Sequence, residues 1–271
     1  MRRMSPLAGC GVGIGWRPEI SAFVASLPGM RFAEVIAEGL GGELPPALQA
    51  LRDNGVAIVP HGVKLSLGGA EPVAAPRVAH LAHCATLVGA PLVSEHIAFV
   101  RAGGLEAGHL LPVPRTRETV DVIVANVRRA QADLPVPLAL EPIASLFDWP
   151  DDELTEGEFL TEILDRTEAL LLLDVANVYA NAINRGQDPR SSLDGWPLDR
   201  IAYAHVAGGH ARDGLYHDTH TDPVPGEVLE LLARLEVPAV MLERDGHYPA
   251  AAQLRSELDA IASATNNPSI T

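Results

Sequence analysis

Short apolar runs alternate with longer stretches of helical character along almost the whole chain. Eight of these runs are nearly continuous in hydrophobic residues, which is typical of strands buried on both faces of a parallel sheet. The predicted strands cover residues 11–16, 32–36, 56–60, 91–94, 136–140, 170–173, 201–204 and 239–242. The predicted helices cover residues 18–27, 45–54, 71–88, 116–132, 157–167, 224–235 and 248–262. The pattern therefore predicts a chain built from repeated strand–helix units.

The number of units decides the fold class. Eight units in roughly 250 residues is the size of a (β/α)8 barrel, or TIM barrel. A doubly wound open sheet also alternates, but it carries a glycine-rich phosphate loop after its first strand. The glycines of GVGIG at 11–15 lie inside the first predicted strand, with no G-x-G-x-x-G leading into a helix. We therefore expect an α/β fold with one TIM-barrel domain over residues 1–271, ordered from about 9 to 262 with short terminal tails.

Composition narrows the choice of partners. Hydrophobic residues make up 47% of the chain, enough for a sizeable core, and the formal net charge is −15. Such a charge argues against nucleic acid or an anionic membrane as a partner. The first nine residues contain Arg2 and Arg3 but no apolar core of a signal peptide, and no stretch approaches the roughly 18 apolar residues of a membrane span. The two cysteines, Cys10 and Cys84, are expected to be free thiols of a cytoplasmic protein.

Six of the eight predicted strands run directly into a residue that commonly binds metal. They are His61, His96, Glu141, Asp174, His205 and Glu243. In a TIM barrel the carboxyl ends of all strands open on one face, so these side chains would converge there. Carboxylates and imidazoles crowded into one bowl shift each other's pKa values strongly unless cations are present. The pattern therefore predicts a site for divalent cations.

Three further residues extend this set. Asp218 and His220, in the loop after the seventh strand, are two apart and would share a face in an extended segment. Asn177 lies three residues beyond Asp174. Nine candidate ligands exceed one coordination sphere, so a bridging carboxylate such as Glu141 would fit two or three ions. Mixed imidazole and carboxylate ligands leave Zn, Mn or Fe open, and two histidines with one carboxylate favour iron.

Other polar residues near these positions have no assigned role from the pattern alone. Glu34 lies within the second predicted strand, where a buried carboxylate needs a partner. Arg244 and Asp245 follow Glu243 directly. All three are candidates to orient ligands or contact substrate, and ordinary ion pairs are the alternative.

Seven motifs, in order along nearly the whole chain, resemble those of the multinuclear non-heme iron-dependent oxidative enzymes (MNIO), a family within the xylose-isomerase-like barrels. The motifs are HGVKLSLGG (61–69), SEHIAF (94–99), LLPVPRT (110–116), LLDVANVY (172–179), HVAGGH (205–210), DGLYHDTH (213–220) and LERDGHYP (242–249). The resemblance implies three ions with shared ligands. One would be held by His61, His96 and Glu141, a second by Glu141, Asp174, His205 and Glu243, and a third by Asn177, Asp218 and His220.

The resemblance also implies a function. Such enzymes use mixed-valent iron, Fe2+ and Fe3+, with O2 as co-substrate to modify residues, most often cysteine, of ribosomally made precursor peptides. A small partner protein encoded nearby frequently helps to capture the peptide. This chain departs from the family at Pro142, at Ala176 and at Gly209, which moves His210 by one position. His210 is therefore a weaker candidate to orient a ligand or contact substrate.

Three other functions are compatible with the same ligands. A hydrolase of the endonuclease IV type would use zinc to activate water, but it needs a basic surface for its phosphodiester substrate. A sugar or keto-acid isomerase would normally use a catalytic lysine, and Lys64 is the only lysine in the chain. A metal-dependent binding subunit of a larger assembly is the alternative outside catalysis.

Overall fold

The computed structural model describes residues 4–271 of the chain, so Arg2 and Arg3 lie outside the described residues. The strands are β1 (Gly11–Trp16), β2 (Phe32–Ile36), β3 (Ala57–Gly62), β4 (Val93–Ile97), β5 (Phe99–Ala102), β6 (Leu105–Leu111), β7 (Leu138–Pro142), β8 (Leu170–Asp174), β9 (Ile201–Val206), β10 (Gly208–Arg212), β11 (Leu215–Asp222) and β12 (Ala239–Leu242). The α-helices are α1 (Ser21–Ala25), α2 (Pro46–Asp53), α3 (Ala75–Val88), α4 (Arg117–Asp133), α5 (Glu156–Thr167), α6 (Val175–Asn184), α7 (Gly226–Leu232) and α8 (Ala251–Ala264). None of the described helices is long and apolar enough to span a bilayer.

Eight parallel strands close into a barrel in the order β1-β12-β9-β8-β7-β4-β3-β2. The predicted TIM barrel is therefore confirmed, with each predicted strand present to within a few residues. The glycines of β1 are part of the barrel wall, as expected. A Cβ on Gly13 would lie 2.7 Å from the ring of Phe32, so glycine leaves the room that this phenylalanine needs in the barrel interior.

The barrel interior is filled in layers because alternate residues of each strand point inward. The layer near the amino ends of the strands is apolar and includes Phe32, Val59, Leu92 and Leu172, each at most 1% exposed. Two residues further along the strands, the inward positions become polar. The interior therefore changes from a packed apolar base to a buried polar upper half.

Three predictions of local structure were wrong. The stretch 101–115, for which no strand or helix was predicted, contains most of the antiparallel hairpin β5–β6. Ion pairs of Arg101 with Glu71 and of Arg77 with Glu106 attach this hairpin to the body of the barrel. The segment after β9 forms a second hairpin, β10–β11. Helix α6 was not predicted, although its N-cap is Asp174, whose Oδ1 accepts hydrogen bonds from the amides of Ala176 and Asn177.

Both ends of the described chain pack beyond the expected barrel limits of about 9 and 262. Leu7 is fully buried against the apolar base, and the hydroxyl of Ser5 donates to the carbonyl of Ala202 at 2.5 Å. At the other end Ile270 is buried, and its carbonyl accepts from the amide of Gly29 at 3.3 Å. These segments close the amino end of the barrel instead of fraying.

Truncating the residue that closes the base should destabilise the whole fold. We expect Leu7→Ala to reduce the free energy of unfolding by about 2–5 kcal/mol, because it leaves a cavity in a packed apolar layer. The matched control is Met4→Ala, since Met4 is 84% exposed and should change stability by less than about 0.5 kcal/mol. Urea denaturation of both variants measures the difference. Equal stability of Leu7→Ala and wild type would contradict this role for the amino-terminal segment.

Candidate metal centre

The residues predicted as ligands lie together in the upper half of the barrel. Strand pairing places His96 beside Glu141 and Asp174 beside His205 at the carboxyl ends of neighbouring strands. Glu243 follows β12 directly, and its amide donates to the carbonyl of Val206 in β9. All six strand-end residues are buried, with exposure of 8% or less. Parallel topology, rather than proximity in sequence, therefore brings them into one bowl.

His61, His96 and Glu141 form what we call group A, whose ligand atoms all lie within 4.8 Å of one another. The Oε2 atom of Glu141 is 3.5 Å from Nε2 of His61 and 3.3 Å from Nε2 of His96. The two imidazoles meet edge to face, with ring centroids 4.5 Å apart. Two imidazole nitrogens and one carboxylate thus face a common point.

Group B consists of Glu141, Asp174, His205 and Glu243, and it shares Glu141 with group A. The Oε1 atom of Glu141 is 3.7 Å from Nδ1 of His205, which is also 2.9 Å from Oε2 of Glu243. One carboxylate oxygen of Glu141 therefore faces group A, and the other faces group B. This is the geometry of a bridging carboxylate.

Group C consists of Asp174, Asp218 and His220, and it shares Asp174 with group B. Strand β11 supplies the last two residues, and Nε2 of His220 lies 2.6 Å from Oδ2 of Asp218 and 3.7 Å from Oδ2 of Asp174. His220 has a φ of +53°, an uncommon conformation for a residue other than glycine. Asn177 is buried nearby, and its Nδ2 donates to the carbonyl of Pro142, which leaves the amide oxygen for a ligand role.

The buried polar atoms of these groups fit bound cations. Among the described residues, five buried ligand-type atoms of groups A, B and C have no hydrogen-bond partner. They are Glu141 Oε2, Asp174 Oδ2, His205 Nδ1, Asp218 Oδ1 and Glu243 Oε2. Buried polar atoms without partners are strongly unfavourable, and here they lie close together in three groups that share residues. A set of oxygen and nitrogen donors without thiolate suits Fe, Mn or Zn.

The pKa values of the buried histidines and carboxylates also fit a site for cations. Burial alone would lower the pKa of His96, but the charges of Glu141 and Glu95 outweigh burial and raise this pKa to about 9. Burial raises the pKa of Glu141, and the neighbouring His96 and His205 outweigh this and lower it to about 2. Burial and the nearby Asp218 raise the pKa of Asp174 to about 7. These opposed shifts arise because imidazoles and carboxylates are crowded into one buried site, which is the setting in which a cation relieves repulsion between carboxylates.

In each strand-end histidine, the ring nitrogen that does not face the carboxylates of groups A and B has its own partner. Nδ1 of His96 lies 3.1 Å from the carbonyl of Gly62, Nδ1 of His61 is 2.8 Å from the hydroxyl of Ser94, and Nε2 of His205 is 2.9 Å from Glu34. Such partners fix the ring orientation of metal-binding histidines. Glu34 is fully buried and holds the ring of His205 in place through this contact.

The remaining candidates have different positions. Arg244 is buried, and its Nη2 donates to Glu257 of α8 at 2.5 Å, which is the ion pair named above as the alternative. His210 lies outside the centre, because it pairs with Asp222 on the surface of the hairpin β10–β11. Asp245 lies at the rim, 3.4 Å from Nδ1 of His220.

Sequence reasoning missed Arg17. Its guanidinium is buried beside the rim and donates to Asp245 at 2.6 Å, and it lies 3.7 Å from Glu243. A Cβ on Gly15 would approach this guanidinium to 3.1 Å, so glycine at that position leaves room for it. The signal was present, since Arg17 follows the first strand as the ligands follow theirs. Asp245, Glu243 and His220 also have mutually close ligand atoms, but Arg17 already supplies a positive charge there.

Comparison with known proteins identifies the family of the chain. Residues 11–266 match the family described as RiPP precursor modification enzyme MbnB/TglH/ChrH, where RiPP denotes a ribosomally synthesised and post-translationally modified peptide. The chain is 53% identical over 273 residues to a UPF0276 protein of Streptomyces avermitilis, spanning 96% of this chain but only 56% of that relative. It is 37% identical over 258 residues to a UPF0276 protein of Caulobacter vibrioides, with 92% of both chains covered.

Solved structures agree on the fold. Endonuclease IV from Thermus thermophilus superposes with a TM-score of 0.62 at 18% identity, covering 94% of this chain and 99% of that one. A xylose isomerase domain protein from Planctomyces limnophilus gives 0.58 at 16% identity, covering 97% and 98%. The barrel is therefore xylose-isomerase-like. Given the match over residues 11–266, the chain belongs to the MbnB/TglH/ChrH family of RiPP precursor modification enzymes and is an enzyme.

Proposed function

We propose that this enzyme holds two or three iron ions in groups A, B and C. With O2 it oxidises a residue of a ribosomally made precursor peptide, and we take that residue to be a cysteine. The observation that carries the proposal is the sharing of carboxylates between groups. Glu141 directs one oxygen to group A and one to group B, and Asp174 belongs to both B and C. Shared carboxylates are how proteins hold metal ions at short distances from one another.

The composition of group A favours iron over the other metals. Two histidines and one carboxylate leave coordination positions open, as in non-heme iron sites that react with oxygen. Iron bound there would activate O2 and accept the electrons removed from the peptide. The chain itself orients the ligands and keeps His61, Glu141 and His205 at 1% exposure or less. Such burial limits the access of bulk water to the oxidising centre.

The exposed side chains at the rim of the bowl are consistent with a peptide substrate. The most exposed members of the centre are His220 and Asp245, with 16% and 41% of their side chains exposed, so we infer that the peptide approaches on this side. Leu146 and Phe147 are also exposed, 47% and 53%, in the loop that follows β7 and Glu141. Exposed apolar side chains beside a site are typical of surfaces that bind a partner. We propose that a small partner protein helps to deliver the peptide.

The proposal is tested by co-expression with short cysteine-containing candidate precursor peptides, each with and without a candidate small partner protein. The enzyme is purified anaerobically, and its metals are counted by mass spectrometry. We expect two or three iron ions per chain and a change in peptide mass that requires O2. The control is the same peptide with serine in place of cysteine, which should stay unmodified.

The result that would overturn the proposal is stoichiometric zinc after iron-replete growth, with an unmodified peptide. That result would favour a hydrolase of the endonuclease IV type. The likeness to endonuclease IV shows only the fold, and the net charge of −15 disfavours a nucleic-acid substrate. Manganese with isomerase activity on a sugar would likewise overturn the proposal.

A further inference from the structure

A continuous chain of hydrogen bonds runs beneath the metal centre and connects a histidine of group A to a histidine of group B. Nδ1 of His61 is 2.8 Å from the hydroxyl of Ser94, which is 2.7 Å from the hydroxyl of Tyr203. Tyr203 donates to Oε2 of Glu34 at 2.5 Å, and Nε2 of His205 is 2.9 Å from the same oxygen. All five residues are at most 1% exposed.

The direction of every bond follows from the carboxylate at its centre. An ionised carboxylate can only accept hydrogen bonds, so Tyr203 and Nε2 of His205 both donate to Glu34. Tyr203 has one hydrogen, and therefore it must accept from Ser94. Ser94 in turn accepts the hydrogen on Nδ1 of His61. The Glu34 carboxylate thus sets the direction of all four hydrogen bonds.

This order decides which ring nitrogen of each histidine is free to bind metal. His61 carries its hydrogen on Nδ1, which leaves Nε2 bare where it faces Glu141 at 3.5 Å. In the neutral form that binds metal, His205 carries its hydrogen on Nε2, which leaves Nδ1 for the cation, 2.9 Å from Oε2 of Glu243. The two histidines therefore use opposite nitrogens, and both choices depend on Glu34.

Packing alone does not explain these residues. Tyr203 lies in the barrel interior against Phe32, with ring centroids 6.3 Å apart, and phenylalanine would fill the same space. Polar groups placed in such an interior are unfavourable unless every one of them is satisfied. Here Ser94, Tyr203 and Glu34 are joined to one another and to two candidate ligands, and Ser94 is paired with His61 across β3 and β4.

We propose that Glu34, Tyr203 and Ser94 are positioning residues that set the ring hydrogen of His61 and His205 together and so couple metal binding in groups A and B. This inference rests on the proposed function only in that the two groups bind metal. It does not depend on iron, on O2 or on the identity of the peptide. Removal of Tyr203 or Ser94 from the chain of hydrogen bonds should therefore weaken metal binding in group A alone. Removal of the Glu34 carboxylate should weaken metal binding in both groups.

The experiment compares Tyr203→Phe and Glu34→Gln in anaerobic titrations with Co2+, whose visible absorbance reports on each occupied group. The band lost in His96→Ala identifies group A. Tyr203→Phe breaks the chain toward His61 but keeps the bond from His205 to Glu34. We expect its group A affinity to fall about 10- to 100-fold, the usual result of losing an outer partner, while group B keeps its wild-type affinity. Glu34→Gln should weaken both groups by a similar factor, because glutamine no longer forces both neighbours to donate.

A second readout separates positioning from a merely structural role. In the zinc-loaded protein labelled with 15N-histidine, nuclear magnetic resonance shows which nitrogen carries hydrogen. We expect Nδ1 for His61 and Nε2 for His205 in the wild type, and a changed or mixed state for His61 in Tyr203→Phe. The matched control is Tyr179→Phe, which removes a tyrosine hydroxyl in α6 outside the chain of hydrogen bonds and should change neither readout. If Tyr203→Phe does not fold, Ser94→Ala breaks the same path at His61.

The outcomes distinguish the two proposals. Wild-type affinity at both groups in Tyr203→Phe, with an unchanged His61 spectrum, would overturn the inference and leave the proposed function standing. Parallel losses at both groups in Tyr203→Phe would also overturn it, because a selective effect is its central expectation. A wild-type protein that binds no metal at all would overturn both.

Discussion

Replacement of Glu141 by glutamine should empty groups A and B together. The carboxylate directs Oε2 to His61 and His96 and Oε1 to His205, so one substitution removes a charged ligand from both groups. We expect a loss of metal affinity larger than the roughly 10- to 100-fold that follows removal of an outer partner, with no detectable peptide modification. Metal content by mass spectrometry and peptide mass measure the two effects.

The matched control is Glu118→Gln, because Glu118 is an exposed glutamate in α4 that belongs to none of the three groups. It should keep the metal content and activity of the wild type. Full occupancy of either group in Glu141→Gln would show that the carboxylate is not shared. That result would remove the main support for closely spaced ions.

Removal of the metals should lower the thermal stability of the protein markedly. A ligand present at 100 times its dissociation constant stabilises the folded state by about 2.7 kcal/mol. For a domain of this size each kcal/mol corresponds to about 2–4 °C, so each emptied group should lower Tm by about 5–10 °C. The physical reason is that the unpartnered carboxylate and imidazole atoms of the bowl lose the cations that neutralise them.

Differential scanning calorimetry with and without a chelator measures this change. Glu141→Gln is the internal comparison, since a protein that already lacks metal in groups A and B should respond much less to chelation. An unchanged wild-type Tm after complete metal removal, verified by mass spectrometry, would contradict a structural contribution of the ions.

The barrel and the convergence of the ligands were predictable because both depend on a periodic pattern. Strands buried on both faces appear as continuous apolar runs, and a parallel barrel opens all their carboxyl ends on one side. A histidine or carboxylate at the end of such a run has few structural reasons to be there. His61, His96, Glu141, Asp174 and His205 were found on this ground, and all of them lie in the bowl.

The hairpins were not predictable in the same way. Strand β6 has the sequence LEAGHLL and is mostly exposed, so it lacks the alternation that marks a strand with one buried face. Ion pairs to distant residues hold it in place. Helix α6 was hidden for another reason, because Asp174 was interpreted as a ligand and is also the helix N-cap. Its Oδ1 caps the helix, which leaves Oδ2 for the proposed ligand role.

The buried chain of Ser94, Tyr203 and Glu34 shows the limit of pattern reasoning most clearly. Ser94 and Tyr203 each lie two residues before a ligand histidine, so alternation places them on the inward face. The contacts of Ser94 with Tyr203 and of Tyr203 with Glu34 depend on strand register across the barrel, which no single run reveals. The sequence could indicate three inward polar residues but not that they meet.

Both described ends of the chain lie at the amino end of the barrel, where Leu7 fills the base and Ile270 packs beside Gly29. The opening of the barrel above the candidate metal centre is at the opposite side of the molecule, at the carboxyl ends of the strands. An affinity handle or fluorescent reporter fused at either end would therefore be carried away from the opening. Immobilised enzyme attached in this way would present its opening to solution, which makes the chain well suited to surface-based measurements of peptide capture.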